Sequence, residues 1–169
     1  MTQLAAQEFE LLVQQVMAKL SKPAGEMPRA SQFRGVFATP DEAVAAARQA
    51  QTVFRRTPIS QRKAIIEAMR QTVIEHAQPL AQLAVEETRM GRVGDKVRKN
   101  LLVAEKTPGV EILPNDAYVG DHGLTIEECA PYGTILAITP TTNPTATVIN
   151  NAISMVAAGN AVVFAPHPS

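Results

Sequence analysis

Residues 133–168 read GTILAITPTTNPTATVINNAISMVAAGNAVVFAPHP, and this stretch decides the fold. It opens with an apolar run from Gly133 to Thr139, which predicts a strand buried on both faces of a parallel sheet. Asn143 followed by Pro144 is a helix-start signal, because Asn is a good N-cap residue and Pro suits the first helical position. The apolar residues that follow share a helical spacing: Val148, Ile149, Ala152, Ile153, Val156 and Ala157.

A glycine and a second apolar run complete the unit. Gly159 predicts a left-handed helix end, and Ala161 to Ala165 predict a second short strand. A strand, a helix and a strand in this order form a βαβ unit with parallel strands. TPTTNP at 139–144 and APHP at 165–168 would then both follow the carboxyl ends of strands. We expect them at one edge of the sheet, where open α/β sheets bind ligands.

Composition narrows the class of protein. The chain has 169 residues, of which 46% are hydrophobic and 19% charged, as in ordinary globular proteins. Sixteen basic and sixteen acidic residues cancel, which gives no electrostatic argument for nucleic acid or an anionic membrane. No apolar run is long enough to span a bilayer, and the amino terminus lacks a secretory signal pattern, so we expect a cytosolic protein. A single cysteine, Cys129, excludes an internal disulfide.

The first residues form a separate pattern. Residues 1–20 contain an amphipathic helix from Leu4 to Leu20, and residues 21–35, with two prolines and no period, have the composition of a flexible linker. A helix this short is marginal in water, so its apolar stripe must pack against something. Two interpretations stay open, folding back on its own domain or docking to another protein.

Residues 36–169 form the predicted main domain, which begins with helices. Thr39 and Pro40 indicate a helix start. Ser60 is predicted to cap a longer helix, which should break near residues 76–78 because Pro79 cannot donate a backbone hydrogen bond. Asp95 is predicted to cap a third helix, which ends near Lys106.

An irregular stretch is predicted to follow as far as Asp121. The alternating sequence from Leu124 to Cys129 then indicates an exposed edge strand.

Asn143 is the strongest candidate for chemistry. As an N-cap it would use its side-chain oxygen, which leaves two amide donors to face a ligand. A donor held in this way suits an oxyanion hole. His76 and His122 are expected to be surface residues, whereas His167, between two prolines, could contact a ligand or simply belong to a turn. Cys129 is expected to be structural. The three histidines do not have the spacing of metal ligands. The sequence contains no GxGxxG motif, so a dinucleotide cannot be predicted from a phosphate-binding loop.

Five segments carry a resemblance to a known family: GVFATPDEAVAAARQAQ, EETRMGRVGDKVRKN, KTPGVE, GLTIEECAPYG and TPTTNPTATVINNAISMVAAGNAVVFAPHP. Together they resemble the aldehyde dehydrogenase superfamily, in the branch of coenzyme A-acylating enzymes that act on propionaldehyde or acetaldehyde inside bacterial microcompartments. The resemblance implies an α/β fold, with a helical lead-in followed by the first βαβ of a Rossmann-like cofactor domain. It also implies that the chain matches the amino-terminal portion of longer enzymes.

The resemblance assigns roles residue by residue. Asn143 matches the family's oxyanion asparagine. Thr139, Pro140, Thr141 and Thr142 match a turn beside the nicotinamide ribose of NAD, and Ala165, Pro166, His167 and Pro168 match a segment near the adenine ribose. The wider superfamily usually has lysine where this chain has Ala165, so the cofactor preference of the superfamily cannot be assigned to this chain. Arg89 stands where the branch usually has glycine, which we interpret as a surface change.

The implied reaction is oxidation of a short aldehyde to acyl-CoA, with NAD as cofactor and coenzyme A as co-substrate. The nucleophilic cysteine is expected beyond Ser169, and Cys129 matches no catalytic position, so residues 1–169 alone are expected to be inactive. The resemblance also implies that the Leu4–Leu20 helix docks to a microcompartment shell protein and that the Leu124–Cys129 strand joins a second subunit. The alternative is a non-catalytic assembly module that works through the amino-terminal helix.

Overall fold

Helices precede the parallel unit in the structure, a computed structural model that describes residues 35–113 and 115–168. The elements in chain order are α1 (Pro40–Phe54), α2 (Ile59–Thr88), α3 (Val93–Lys106), a 3₁₀ turn (Val110–Ile112), β1 (Asp116–Gly120), β2 (Gly123–Glu127), β3 (Thr134–Ile138), α4 (Pro144–Ala157) and β4 (Ala161–Ala165). The predicted helix at 4–20 and almost all of the linker at 21–35 lie outside the described residues.

The predicted βαβ unit is confirmed. Strands β3 and β4 pair in parallel, with Thr134 opposite Ala161 and Ile138 opposite Ala165, and α4 lies between them in the chain. Gly159 adopts a φ of +80° just after α4, the left-handed conformation that turns the chain from the helix into β4. The local signals in this stretch were therefore sufficient to define its elements.

The predicted burial of β3 on both faces is wrong for the described residues. Ala137 is buried, but Leu136 is 61% and Ile138 77% exposed. Neighbouring side chains of a strand point to opposite faces, so one face is covered and the other is largely open. The physical reason is that a cleft between α1 and the sheet leaves the side of Leu136 open in the described part of the chain.

The core forms where α4 packs against the long helix α2. Ile66 of α2 meets Ile149, Ile153 and Ala157 of α4, and Ile153 is completely buried. Helix α4 is thus fixed from its apolar side, which orients its amino terminus toward the edge of the sheet. Partly buried apolar residues extend this cluster: Met69, Val73, Val103, Val110 and Val156.

Helix α2 runs without a break through Pro79, so the predicted break near residues 76–78 is wrong. The helix has 30 residues, and its buried side after the middle is made of Ala77, Ala81 and Ala84. These small side chains let α2 and α3 pack closely, and this packing offsets the hydrogen bond that Pro79 cannot donate.

The observed helix caps agree only in part with those predicted from the sequence. Thr39 caps α1 as predicted, and its hydroxyl accepts a hydrogen bond from the backbone of Glu42 at 3.3 Å. Ser60 and Asp95 were wrongly predicted as caps, because α2 and α3 begin earlier, after Pro58 and Arg92.

The stretch before the predicted edge strand is irregular only in part. Residues 116–120 form β1, which pairs antiparallel with β2 across a tight turn at Asp121 and His122. Strand β2 covers 123–127 rather than the predicted 124–129. Every residue of both strands is exposed. Among the described residues, no helix is long and apolar enough to cross a membrane.

Candidate functional site

The carboxyl ends of β3 and β4 meet, as predicted. The backbone N–H of Thr139 donates to the carbonyl of Ala165 at 3.1 Å, which joins the TPTTNP turn to the APHP segment. Thr139 is buried and anchors the start of the turn, whereas Pro140 and Thr142 are exposed. Residues 166–168 are exposed as well. The two predicted cofactor segments therefore form one continuous edge of the sheet.

Asn143 occupies the N-cap position of α4, but its side chain does not cap the helix. Its backbone, at φ −147° and ψ 55°, lies outside the extended conformation usual for an N-cap. Instead, its Oδ1 accepts a hydrogen bond from Nζ of Lys99 at 3.3 Å. The predicted use of the side-chain oxygen as a cap is thus wrong. That the Nδ2 donor of Asn143 serves an oxyanion stays a prediction.

Helix α3 holds the turn and the start of α4 from the side. The buried Lys96 donates from Nζ to the carbonyl of Thr142 at 3.4 Å. Asn100, 1% exposed, donates from Nδ2 to the carbonyl of Ala77 at 3.4 Å. Its Oδ1 accepts from the hydroxyl of Thr145 at 2.9 Å. One face of α3 therefore connects α2 with the first turn of α4.

Sequence reasoning missed the three residues of α3 that make these contacts. Lys96, Lys99 and Asn100 are spaced i, i+3 and i+4, which places them on one helix face. The sequence feature that could have identified them is a set of polar side chains at positions where a packed helix normally has apolar ones. Their partners lie 23 to 46 positions away in sequence, and no local pattern identifies them.

Two clefts adjoin the sheet and helices. The larger, about 540 Å³, lies between α1 and the sheet and includes Arg48, Thr134 and Leu136 in its lining. It flanks the start of β3, whereas ligands of open parallel sheets bind at the carboxyl edge. The smaller, about 190 Å³, is lined by Lys96, Lys99 and Thr142 and adjoins that edge. We therefore place the candidate site at the smaller cleft.

Charged groups near the start of α3 pair with each other. Hydrogen bonds from Arg98 and Arg92 to the carboxylate lower the pKa of Asp95 below its usual value. The Arg92 Nε lies 2.6 Å from Asp95 Oδ2. This pairing leaves the ammonium groups of Lys96 and Lys99 without a carboxylate partner among the described residues.

The remaining candidates lie apart from this edge, except His167. His76 is exposed on α2, where its Nδ1 lies 2.9 Å from the carbonyl of Thr72. His122 is in the exposed turn between β1 and β2, and Cys129 is exposed after β2. His167 lies on the segment that follows β4. Within residues 35–113 and 115–168, no cluster of His, Cys, Asp or Glu has the composition of a metal site.

A parallel βαβ unit with polar turns at its carboxyl edge defines an α/β protein of the Rossmann-like, ligand-binding class. The comparison with protein families is more specific. The model of the aldehyde dehydrogenase family matches residues 15–169, and the chain belongs to this family. The predicted family and fold class are thus confirmed.

The chain is similar to coenzyme A-acylating members of the family. It is 49% identical over 166 residues to the acetylating acetaldehyde dehydrogenase EutE of Salmonella typhimurium, covering 96% of this chain and 34% of the relative. A propionaldehyde dehydrogenase from the fucose utilisation microcompartment of Clostridium phytofermentans matches with a TM-score of 0.79 and 53% identity, over 80% of this chain and 31% of that one.

A propionaldehyde dehydrogenase of Rhodopseudomonas palustris, solved with bound CoA and an acylated cysteine, matches with a TM-score of 0.78 and 48% identity, over 79% of this chain and 31% of that one. The chain spans about a third of the length of the relatives it matches.

Proposed function

We propose that the whole protein carrying this chain oxidises acetaldehyde or propionaldehyde to acyl-CoA, with NAD as hydride acceptor. The observation that carries this proposal is the 49% identity to an acetylating acetaldehyde dehydrogenase over 96% of the chain. The geometry supports it, because the sheet edge presents a polar turn with an asparagine amide held in place by Lys99.

Asn143 would act at the tetrahedral stage of the reaction. In acylating chemistry a cysteine thiolate attacks the aldehyde carbon, the carbonyl oxygen becomes an oxyanion, and the thioester formed later passes its acyl group to coenzyme A. The Nδ2 donor of Asn143 would stabilise that oxyanion. Cys129 is exposed after β2 and is not the nucleophile in this proposal.

The residues present at the edge fit part of a dinucleotide site. The Thr139–Ala165 hydrogen bond makes the 139–142 turn and the 165–168 segment continuous, which suits an extended ligand along the strand ends. The first segment would hold the nicotinamide ribose and the second the adenine ribose. NAD, when bound, supplies the hydride acceptor. Ala165 offers no charged side chain to the ribose, so binding there would depend on backbone and packing contacts.

The direct test is product identification with the purified whole protein. Acetaldehyde or propionaldehyde with NAD and coenzyme A should yield the acyl-CoA, identified by mass spectrometry, together with NADH. Omitting coenzyme A is the control and should abolish sustained turnover. Formation of the free acid at the same rate without coenzyme A would contradict the acylating assignment.

We further propose that the protein works inside a bacterial microcompartment and docks to a shell protein through the Leu4–Leu20 helix. The apolar spacing of that segment and the microcompartment origin of one matched structure support this. Leu12→Glu, on the apolar stripe, should abolish co-purification with the shell. Gln14→Glu, on the polar side, should not. Equal co-purification of both variants would reject the helix as the docking element.

The exposed β1–β2 hairpin supports a homo-oligomer as a further part of the proposal. Its apolar residues are more than half exposed: Tyr118, Val119, Leu124 and Ile126. The register places Val119, Leu124 and Ile126 on one face of the hairpin and Tyr118 on the other. An exposed apolar face of this kind is typical of an interaction site.

A further inference from the structure

We propose that Lys99 is a positioning residue that aims the amide of Asn143, an inference that rests on the proposed oxyanion role of Asn143. The juxtaposition is the 3.3 Å hydrogen bond from Lys99 Nζ to Asn143 Oδ1, which joins α3 to the start of α4 across 44 residues of sequence. In this proposal Lys99 acts through Asn143 rather than on the reacting atoms.

The amide of Asn143 has two competing orientations. An N-cap asparagine normally turns its oxygen back onto the backbone N–H groups of the first helical turn. In that orientation the Nδ2 donor turns with it. Asn143 makes no such capping bond, although it occupies the N-cap position and Pro144 follows it. The hydrogen bond from Lys99 holds the oxygen away from the helix.

Helix α3 is fixed well enough to set this orientation. Lys96, one turn before Lys99, donates to the carbonyl of Thr142, and Asn100 accepts from the hydroxyl of Thr145. The residues on both sides of Asn143 are thus bound to α3 as well. Asn100 in turn donates to the carbonyl of Ala77 in α2, so the same face of α3 is also bound to α2.

The prediction is a catalytic loss without a stability loss. Lys99→Met in the whole protein should lower kcat about tenfold, the lower end for losing an outer partner that orients a working group. KM for the aldehyde should stay within about twofold, since the proposed role of Lys99 is to orient Asn143 and not to bind the substrate. Lys99 is exposed, so the urea midpoint should barely change. Lys99→Arg should recover most of the activity, because it also donates to Oδ1.

The control is Lys106→Met, the same substitution at an exposed lysine in the last turn of α3. It should leave kcat unchanged. A crystal structure of Lys99→Met should show the Asn143 amide turned toward the helix. Wild-type kcat in Lys99→Met, or a lost kcat with an unmoved amide, would overturn the positioning role.

A double-mutant cycle separates this inference from the proposed function. In an Asn143→Ala background, Lys99→Met should reduce kcat by less than about twofold, because the group it positions is gone. A full additive loss there would overturn the inference. Near-normal turnover of Asn143→Ala alone would instead reject the oxyanion role itself. An impaired Asn143→Ala with a normal Lys99→Met would reject only the role of Lys99.

Discussion

Apolar side chains are buried in the α4 region, which comprises β3, α4 and β4, but they are exposed in the β1–β2 hairpin. In α4, Ile149 and Ile153 are buried against Ile66 of α2. In the hairpin every strand residue is exposed, and Val119 is 83% exposed. An isolated two-stranded hairpin is at best marginally stable in water.

The two regions therefore differ in role: the α4 region stabilises the chain, and the hairpin is the surface proposed to bind a second subunit. The α4 region carries its own core, so the sheet edge and Asn143 are positioned by contacts within this chain. The hairpin has no such core among the described residues, and in the proposed oligomer a second subunit would cover it. Substitutions in the two regions should therefore differ in kind as well as in size.

The largest effect is expected in the core of the α4 region. Ile153→Ala should lower the free energy of unfolding by about 2–5 kcal/mol, because it leaves a cavity in a completely buried position. Ile126→Ala, the matched change on the hairpin, is made at a side chain that is 61% exposed and should cost the isolated subunit little. Urea unfolding at low protein concentration measures both. Equal losses of unfolding free energy in the two variants would contradict the difference between the two regions.

The next effect concerns the site that this core positions. Asn143→Ala in the whole protein should lower kcat about 100-fold or more, which is the scale for losing one oxyanion donor. Because Asn143 makes no capping bond, stability should change little. Steady-state acyl-CoA formation and urea unfolding measure the two quantities. A large stability loss with normal kcat would make Asn143 a structural residue.

A smaller effect is expected from charging the hairpin. Ile126→Lys should weaken subunit association by about tenfold or more, roughly 1.4 kcal/mol, because an unpaired charge would have to be buried in the interface. Sedimentation velocity over a range of concentrations measures the dissociation constant. Glu127→Gln, the neighbouring strand residue that faces the opposite side, is the control. Unchanged association of Ile126→Lys would remove the hairpin from the interface.

Local signals predicted the parts of the α4 region that depend on neighbours in sequence. Pro144 marked the helix start and Gly159 its end, since both act through their own backbone preferences, whereas the side-chain cap expected of Asn143 did not form. The continuous helix through Pro79 could not be predicted, because the packing that offsets the missing hydrogen bond is tertiary. The contact between Lys99 and Asn143 spans 44 residues and has no local signature. The strand at 116–120 was missed because its apolar residues are exposed and few.

The smallest effect is expected at Arg89, where the sequence suggested only a surface change. Arg89 ends α2 with a φ of +57°, a left-handed conformation that costs a residue with a Cβ about 1–2 kcal/mol. Glycine also raises the conformational entropy of the unfolded chain, which offsets part of the stability gained by relieving this strain. Arg89→Gly should therefore raise the free energy of unfolding by about 0.5–1 kcal/mol.

Gly91, with a φ of +77° in the same loop, provides the opposite change. Gly91→Ala should lower stability by about 1 kcal/mol, because its added Cβ meets no severe clash and backbone strain alone acts. Both are read from urea unfolding, with kcat measured in parallel. Since the strain lies between α2 and α3 and outside the Asn143 contacts, kcat should stay unchanged in Arg89→Gly. A drop in kcat would mean that this strain also helps α3 to position the site, whose cleft the loop lines through Gly91.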